Sequence, residues 1–318
     1  MIKRPASVLS DCRRRHAPIR TSSEKGIELT SPYVIDPDQE PWTLARRFTS
    51  RLTDALGDAL RDVVVVGSAS LGDWQANSDI DLVCVVTRGL DSQARDAVSP
   101  LHENSEHEYG HTIDAMYVTR DGLAKGPDAL QSVVASVAGT LHPESTDGPM
   151  NWATWLNIVQ SGVRVPIAEG GALTVVDRRS TGTQIEEEAA RDGAIRFSRA
   201  NLDQYWRNRI VLSEQIYLND EAAHPVSTFE VEWMSLGPAR LLATVLTGRI
   251  VSKSEGGELA SGRSPEFRRH LTQVLDARRG VRHHEDVEPR GPGAFARPRP
   301  FRFDHERRRS PSPRDHLA

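Results

Sequence analysis

The sequence predicts an α/β domain followed by a mainly helical one. Three observations carry that reading. An apolar run, Val63-Val64-Val65-Val66, ends at Gly67-Ser68; a second, Asp79-Ile80-Asp81-Leu82-Val83, follows shortly; and the C-terminal half changes to helical spacing. Short apolar runs bounded by turn residues read as strands, whereas apolar residues that recur once per helical turn read as helix.

Residues 1–38 are polar, basic and aperiodic, and are expected to form a disordered arm. From Trp42 the pattern changes. Trp42, Leu44, Ala45, Phe48, Leu52, Leu56 and Leu60 recur at helical spacing and predict an amphipathic helix that leads into the strand at 63–66. A strand is expected over 80–86, a polar helix near 92–103, a third strand over 112–118 and a helix over 123–137. Strands that alternate with helices make residues 39–145 an α/β domain. The Gly-, Pro-, Ser- and Asp-rich stretch 142–150 reads as a loop, and a short helix from Trp152 stops at Ser161-Gly162. Residues 166–190 fit no single pattern. Helical spacing then returns over 194–216, over 228–247 up to Gly248, and over 265–278, so 146–279 reads as mainly helical.

Residues 280–318 hold nine arginines, six prolines and no lysine, with few aliphatic residues. Such a segment buries too little apolar surface to offset its ordering entropy and reads as a disordered tail. The abrupt change of composition after Arg278-Arg279 also resembles out-of-frame translation of GC-rich DNA.

The chain of 318 residues has a formal net charge of −4 and 26% charged residues. That balance, without a basic stripe, argues against a nucleic-acid partner. No apolar run is long enough for a membrane helix, and the basic N-terminus lacks the apolar core of a signal peptide. The two cysteines, Cys12 and Cys84, suggest no disulfide framework. A cytoplasmic location is the expectation.

The chemistry lies around the first two strands. Alternate strand side chains share a face, so Asp79 and Asp81 project together. Two carboxylates that close repel each other unless a cation lies between them. Mg²⁺ takes oxygen ligands and shares them with substrate phosphates. Gly67 allows close backbone approach to a phosphate, and Ser68 and the amides beyond it offer donors. Asp114, the one acid within the third predicted strand, is the candidate third carboxylate, as metal ligand or as the base that takes a proton from an attacking hydroxyl. Solvated strand-end acids are the bland alternative for all three. This chemistry is phosphoryl or nucleotidyl transfer.

Gly67-Ser68, then Ser78-Asp79-Ile80-Asp81, then Asp114 resembles the DNA-polymerase-β-type nucleotidyltransferase superfamily. Glu232-Trp233-Met234-Ser235-Leu236-Gly237, Arg240-Leu241 and Thr247-Gly248-Arg249-Ile250-Val251-Ser252-Lys253 resemble the helical domain of aminoglycoside 3''/9-O-adenylyltransferases, as does Asn201-Leu202-Asp203-Gln204-Tyr205-Trp206. The likeness spans roughly residues 45–278. It implies a mixed-sheet nucleotidyltransferase domain followed by an all-α domain, with the site in the cleft between them. It implies Mg²⁺ as cofactor, ATP as substrate, and transfer of AMP to a hydroxyl of a small-molecule acceptor such as an aminoglycoside, with no nucleic acid or membrane involved and a monomer at work. Asp79, Asp81 and Asp114 would hold the metal, and Gly67, Ser68, Ser78, Arg240 and Lys253 the nucleotide. Lys253 is expected in a loop after Gly248. Glu232 and Trp233 would meet a cationic amino sugar, or else serve as a helix cap and a core side chain. Two features depart from the antibiotic-modifying enzymes. The third acid is Asp rather than Glu, and residues 166–190 do not match them. Transfer of AMP to a protein, and a nucleotide-binding regulator without catalysis, are the alternative functions.

Overall fold

The computed structural model describes residues 35–281 except 147, 169, 177–184, 211 and 213–227. Most of the basic N-terminal arm, the arginine-rich tail and the end of the helix expected over 194–216 lie outside the described residues.

Helix α1 (Glu40–Leu56) opens with Glu40 and Pro41, residues that suit a first turn, and buries Trp42, Ala45, Phe48 and Leu52 on one stripe. It leads into β1 (Leu60–Val66), a single helical turn α2 (Gly67–Ser70), and β2 (Ile80–Val86). Helices α3 (Ser92–Glu103) and α4 (Ser105–Tyr109) precede β3 (Ile113–Thr119). A short α5 (Arg120–Lys125), strands β4 (Val133–Val137) and β5 (Thr140–Ser145), helix α6 (Trp152–Ser161), and short strands β6 (Val163–Val165) and β7 (Thr174–Val175) follow.

The strands form one mixed sheet in the order β5-β4-β3-β2-β1-β6-β7, in which β2 and β3 are parallel and every other pair antiparallel. Alternation divides the core in two. Val63, Val65, Ile80, Leu82 and Ile113 face α1 and α3, while Val64, Val66, Val83, Val85 and Met116 face Trp155 and Ile158 of α6. Asp81 and Asp114 alternate with the first set, in phase with Val83, Val85 and Met116, and so lie on the α6 face. Beneath β3, the ring of His102 bridges the Ile113 carbonyl at 2.9 Å and the Tyr117 hydroxyl at 2.7 Å.

Beyond the sheet, α7 (Glu187–Asn201) packs on α6 and runs into a π-helical turn, Leu202–Trp206. Helices α8 (Thr228–Thr247), α9 (Lys253–Arg263) and α10 (Arg268–Arg278) then pack in succession around Leu236, Ala260, Leu271 and Leu275. The α/β part followed by C-terminal helices agrees with the fold class the sequence predicts.

Three local expectations differ from the structure. Residues 133–137 form a strand, not the end of a helix, because Val133, Val134 and Val137 are β-branched and Gly126-Pro127 stops the helix first. Residues 140–145 are its hairpin partner, joined through Ala138 and Gly139, both at positive φ, as a tight two-residue turn requires. Residues 163–165 and 174–175 add two strands to the sheet edge, although they fall within the segment the sequence reads as mainly helical.

Candidate active site

The site is built at one end of β2 and β3. Their parallel register sets Asp81 opposite Asp114, and Asp79 stands just before β2 on the same face as Asp81. One carboxylate oxygen from each of Asp79, Asp81 and Asp114 lies within 4.8 Å of the others. Asp79 is exposed, and Asp81 and Asp114 are half-buried. Burial, and then repulsion from Asp79 and Asp114, push the Asp81 carboxyl well above the usual range. Burial and then Asp79 push Asp114 up to about 7, against the pull of the Ala138 and Gly139 amides. The Ala138 N–H donates to Asp114 Oδ1 at 2.8 Å. The sequence therefore concentrates three acids where only a cation or protons can relieve them.

Gly67 turns the chain from β1 into α2 at φ 68°, in the left-handed region. A Cβ there would sit 1.9 Å from Asp81 Oδ2, so the glycine makes room for the acid as well as for the turn. Its N–H donates to Asn157 Oδ1 of α6 at 2.7 Å, and Asn157 Nδ2 donates to Ser161 Oγ at 2.6 Å. The Ser68 hydroxyl is buried with no hydrogen-bond partner among the described residues. A buried hydroxyl left unpaired is costly, which suits a group whose acceptor arrives with a ligand. The Ser78 hydroxyl accepts from the Gln75 N–H at 3.0 Å and closes the loop before Asp79.

Two cations from the C-terminal helices act on the acids. Arg240 on α8 and Lys253 on α9 both favour the ionised form of Asp81. Burial lowers the Arg240 pKa, and Asp81 and Asp79 oppose that shift. Gly256 permits this arrangement, since a Cβ on it would lie 2.6 Å from the Arg240 Cα. Lys253 is the first residue of α9 rather than part of a loop, because the Ser252 hydroxyl caps the Glu255 N–H at 3.1 Å. Its Nζ donates to Glu232 Oε1 at 3.1 Å, and Arg278 donates to the same oxygen at 2.6 Å. Glu232, expected to meet an amino sugar, thus faces two cations of its own chain. Trp233 points elsewhere, into a cluster with Trp206 at 4.8 Å and Tyr205 at 6.2 Å between ring centroids, with the Arg209 guanidinium over its ring.

Residues 47–134 match the family described as "Nucleotidyltransferase domain". The chain carries a nucleotidyltransferase domain. It is an enzyme of that class, and its fold resembles that of an aminoglycoside adenylyltransferase. The solved structure of spectinomycin adenyltransferase AAD(9) from Enterococcus faecialis, with ATP and spectinomycin, superposes with a TM-score of 0.51 at 16% identity, over 79% of this chain and 93% of that one. Comparison with curated proteins found no match. Among the described residues no helix is long and apolar enough to cross a membrane.

The residues of this nucleotidyltransferase domain suit a divalent cation bound together with a triphosphate. Three clustered acids supply hard oxygen ligands, Gly67 leaves a cradle without a side chain, and Ser68 holds an unused hydroxyl. Sequence reasoning missed Asn157, Asp73 and Arg278. Asn157 had no local signal, because its partner Gly67 lies 90 residues away.

Proposed function

We propose that the enzyme transfers AMP from Mg·ATP to a hydroxyl of a small molecule, with an aminoglycoside or aminocyclitol as acceptor, and that it acts as a cytoplasmic monomer. The observation that carries this reading is the set of three carboxylates opposed by two cations from the C-terminal helices. Mg²⁺, when bound, supplies charge neutralisation on the α-phosphate and orients the triphosphate for in-line attack. Asp79 and Asp81 would hold it, and Asp114 would complete that set or take the proton of the acceptor hydroxyl. A carboxyl near neutrality suits the second role, since it can hold a proton and pass it on at working pH. Gly67, whose own N–H is held by Asn157, leaves the turn bare of a side chain where a phosphate approaches, and Ser68 offers its unpaired hydroxyl to a phosphate oxygen. Arg240 and Lys253 offset the negative charge that grows on the departing pyrophosphate.

The acceptor class rests on the resemblance of the helical segments and on the fold shared with an enzyme solved with spectinomycin. The test is pyrophosphate release on incubation of the protein with each nucleoside triphosphate, Mg²⁺ and an aminoglycoside panel. Release that depends on both ATP and an aminoglycoside supports the reading. No release with any member of the panel, alongside AMP transfer to a protein, would refute the acceptor.

A further inference from the structure

Arg278, the last residue of α10, is buried far from the end of the sheet that carries the acids in sequence, yet it reaches back to the loop after the phosphate turn. Its Nη2 donates to the Asp73 carbonyl at 2.8 Å and to Asp73 Oδ2 at 3.1 Å, while its Nη1 donates to Glu232 Oε1 at 2.6 Å. The Arg278 side chain is 2% exposed, so this is a guanidinium committed to two carboxylates away from water. Asp73 is itself a junction. Its N–H donates to the Ser68 carbonyl at 2.9 Å and so closes the phosphate turn. Its carboxylate accepts from the Ser254 N–H at 3.1 Å and from the Ser254 hydroxyl at 2.6 Å, at the start of α9. Glu232 holds Lys253, the residue before Ser254.

One continuous set of bonds therefore runs from the Ser68 turn through Asp73 and Arg278 to Glu232 and Lys253. A buried ion pair is a poor source of net stability, because desolvation of both charges offsets much of their attraction. Here one guanidinium N–H, Nε, lacks a partner among the described residues, which raises that cost. What such a network does supply is a fixed geometry for the groups it joins.

We propose that Asp73 and Arg278 are positioning residues that lock the first turn of α9 onto the phosphate turn, so that Lys253 faces the acids before nucleotide arrives. The inference rests on the nucleotidyl-transfer reading above. Neither residue needs to touch the nucleotide; both act through Ser68, Glu232 and Lys253. Loosening the lock spreads Lys253 over many positions, and nucleotide binding must then repay its ordering.

Steady-state kinetics with ATP and the acceptor varied separately, together with calorimetric titration of Mg·ATP, would test this on wild type, Asp73→Asn, Arg278→Gln and the milder Ser254→Ala. The expected result is an ATP KM raised at least tenfold in the first two and about threefold in Ser254→Ala, with the acceptor KM unchanged. A purely structural role would instead lower the melting temperature and the active fraction and leave the ATP KM of the folded protein alone; that outcome overturns the proposal. If Arg278→Gln fails to fold, Ser254→Ala decides, since it removes one hydroxyl and leaves both charges paired; an unchanged ATP KM there overturns the proposal as well. Wild type that binds no Mg·ATP would refute the nucleotidyl-transfer reading itself, a result distinct from equal binding by wild type and variants.

Discussion

Replacing Asp114 with Asn should stabilise the metal-free protein while disabling it. The native carboxyl titrates near 7 against an ordinary value of 3.8. Its folded-state pKa lies above its unfolded value, so between those pH values the native state keeps a proton that the unfolded chain has lost. Stability then falls as pH rises from about 4 to about 7, and the full penalty persists above. About three pH units at about 1.4 kcal/mol each set a ceiling of about 4 kcal/mol at pH 8. Asp79 and Asp81 share the same crowding, so the realised gain on removing one charge is about 2 kcal/mol. Asn retains a carbonyl oxygen for the Ala138 N–H that now bonds Asp114. For a chain of this size that gain raises the melting temperature by about 4–8 °C. Scanning calorimetry with chelator at pH 8 should show this rise, and it should shrink towards zero as pH falls to 4. Turnover should drop about 10²–10⁴-fold if Asp114 is the base. In titration, unchanged Mg·ATP binding then assigns it as the base, and weakened binding assigns it to the metal. A variant that melts lower than wild type at pH 8 without metal would refute the claim of unrelieved charge, and unchanged turnover together with unchanged binding would remove Asp114 from the site.

Asp79→Ala and Asp81→Ala should each abolish transfer with the fold intact, as judged by circular dichroism and turnover under saturating Mg·ATP; near-wild-type turnover in either would sink the metal assignment. Gly67→Ala places a methyl group against Asp81 Oδ2 at a left-handed backbone position. It should cost at least about 2 kcal/mol in denaturant melts and reduce turnover at least about 100-fold. A chain that ends at Val281 keeps the hydrogen bonds from Val281 N–H to the Asp276 carbonyl and from Gly280 N–H to the Ala277 carbonyl, which close α10. It should melt with the full chain and retain its activity; a clear drop would show that residues 282–318 dock on the core.

The acids were legible because their signal is local. An apolar run, a Gly-Ser turn and an i, i+2 pair specify a strand end and a shared face within about twenty residues. Asp114 followed from being the one acid in the third apolar run. The long helices α1 and α8 were legible for the same reason of periodicity. What the sequence concealed is either short or distant. Strands β6 and β7 are too brief for alternation to register, and β4 carries apolar residues at a spacing that also fits a helix. The start of α9 did carry a signal, Ser252 followed by Glu255 at capping-box spacing, and reading it would have placed Lys253 on a helix. Arg278 carried none. In sequence it is one of a pair of arginines beside a polar tail, and only the 205-residue separation closed by folding gives it Asp73 as a partner.

The parallel pairing of β2 with β3 has a consequence for how this enzyme can vary. Neighbouring strands lie about 4.8 Å apart whatever their side chains, and the parallel register sets Asp81 directly opposite Asp114 across that gap. The interval between Asp81 and Asp114 is thus set by the peptide ladder, a dimension that substitution in the helices leaves in place. Helices α7 to α10 can change in sequence while that pair keeps its spacing, whereas a slip of one residue between β2 and β3 would turn Asp114 to the opposite face and leave Asp81 without its counterpart.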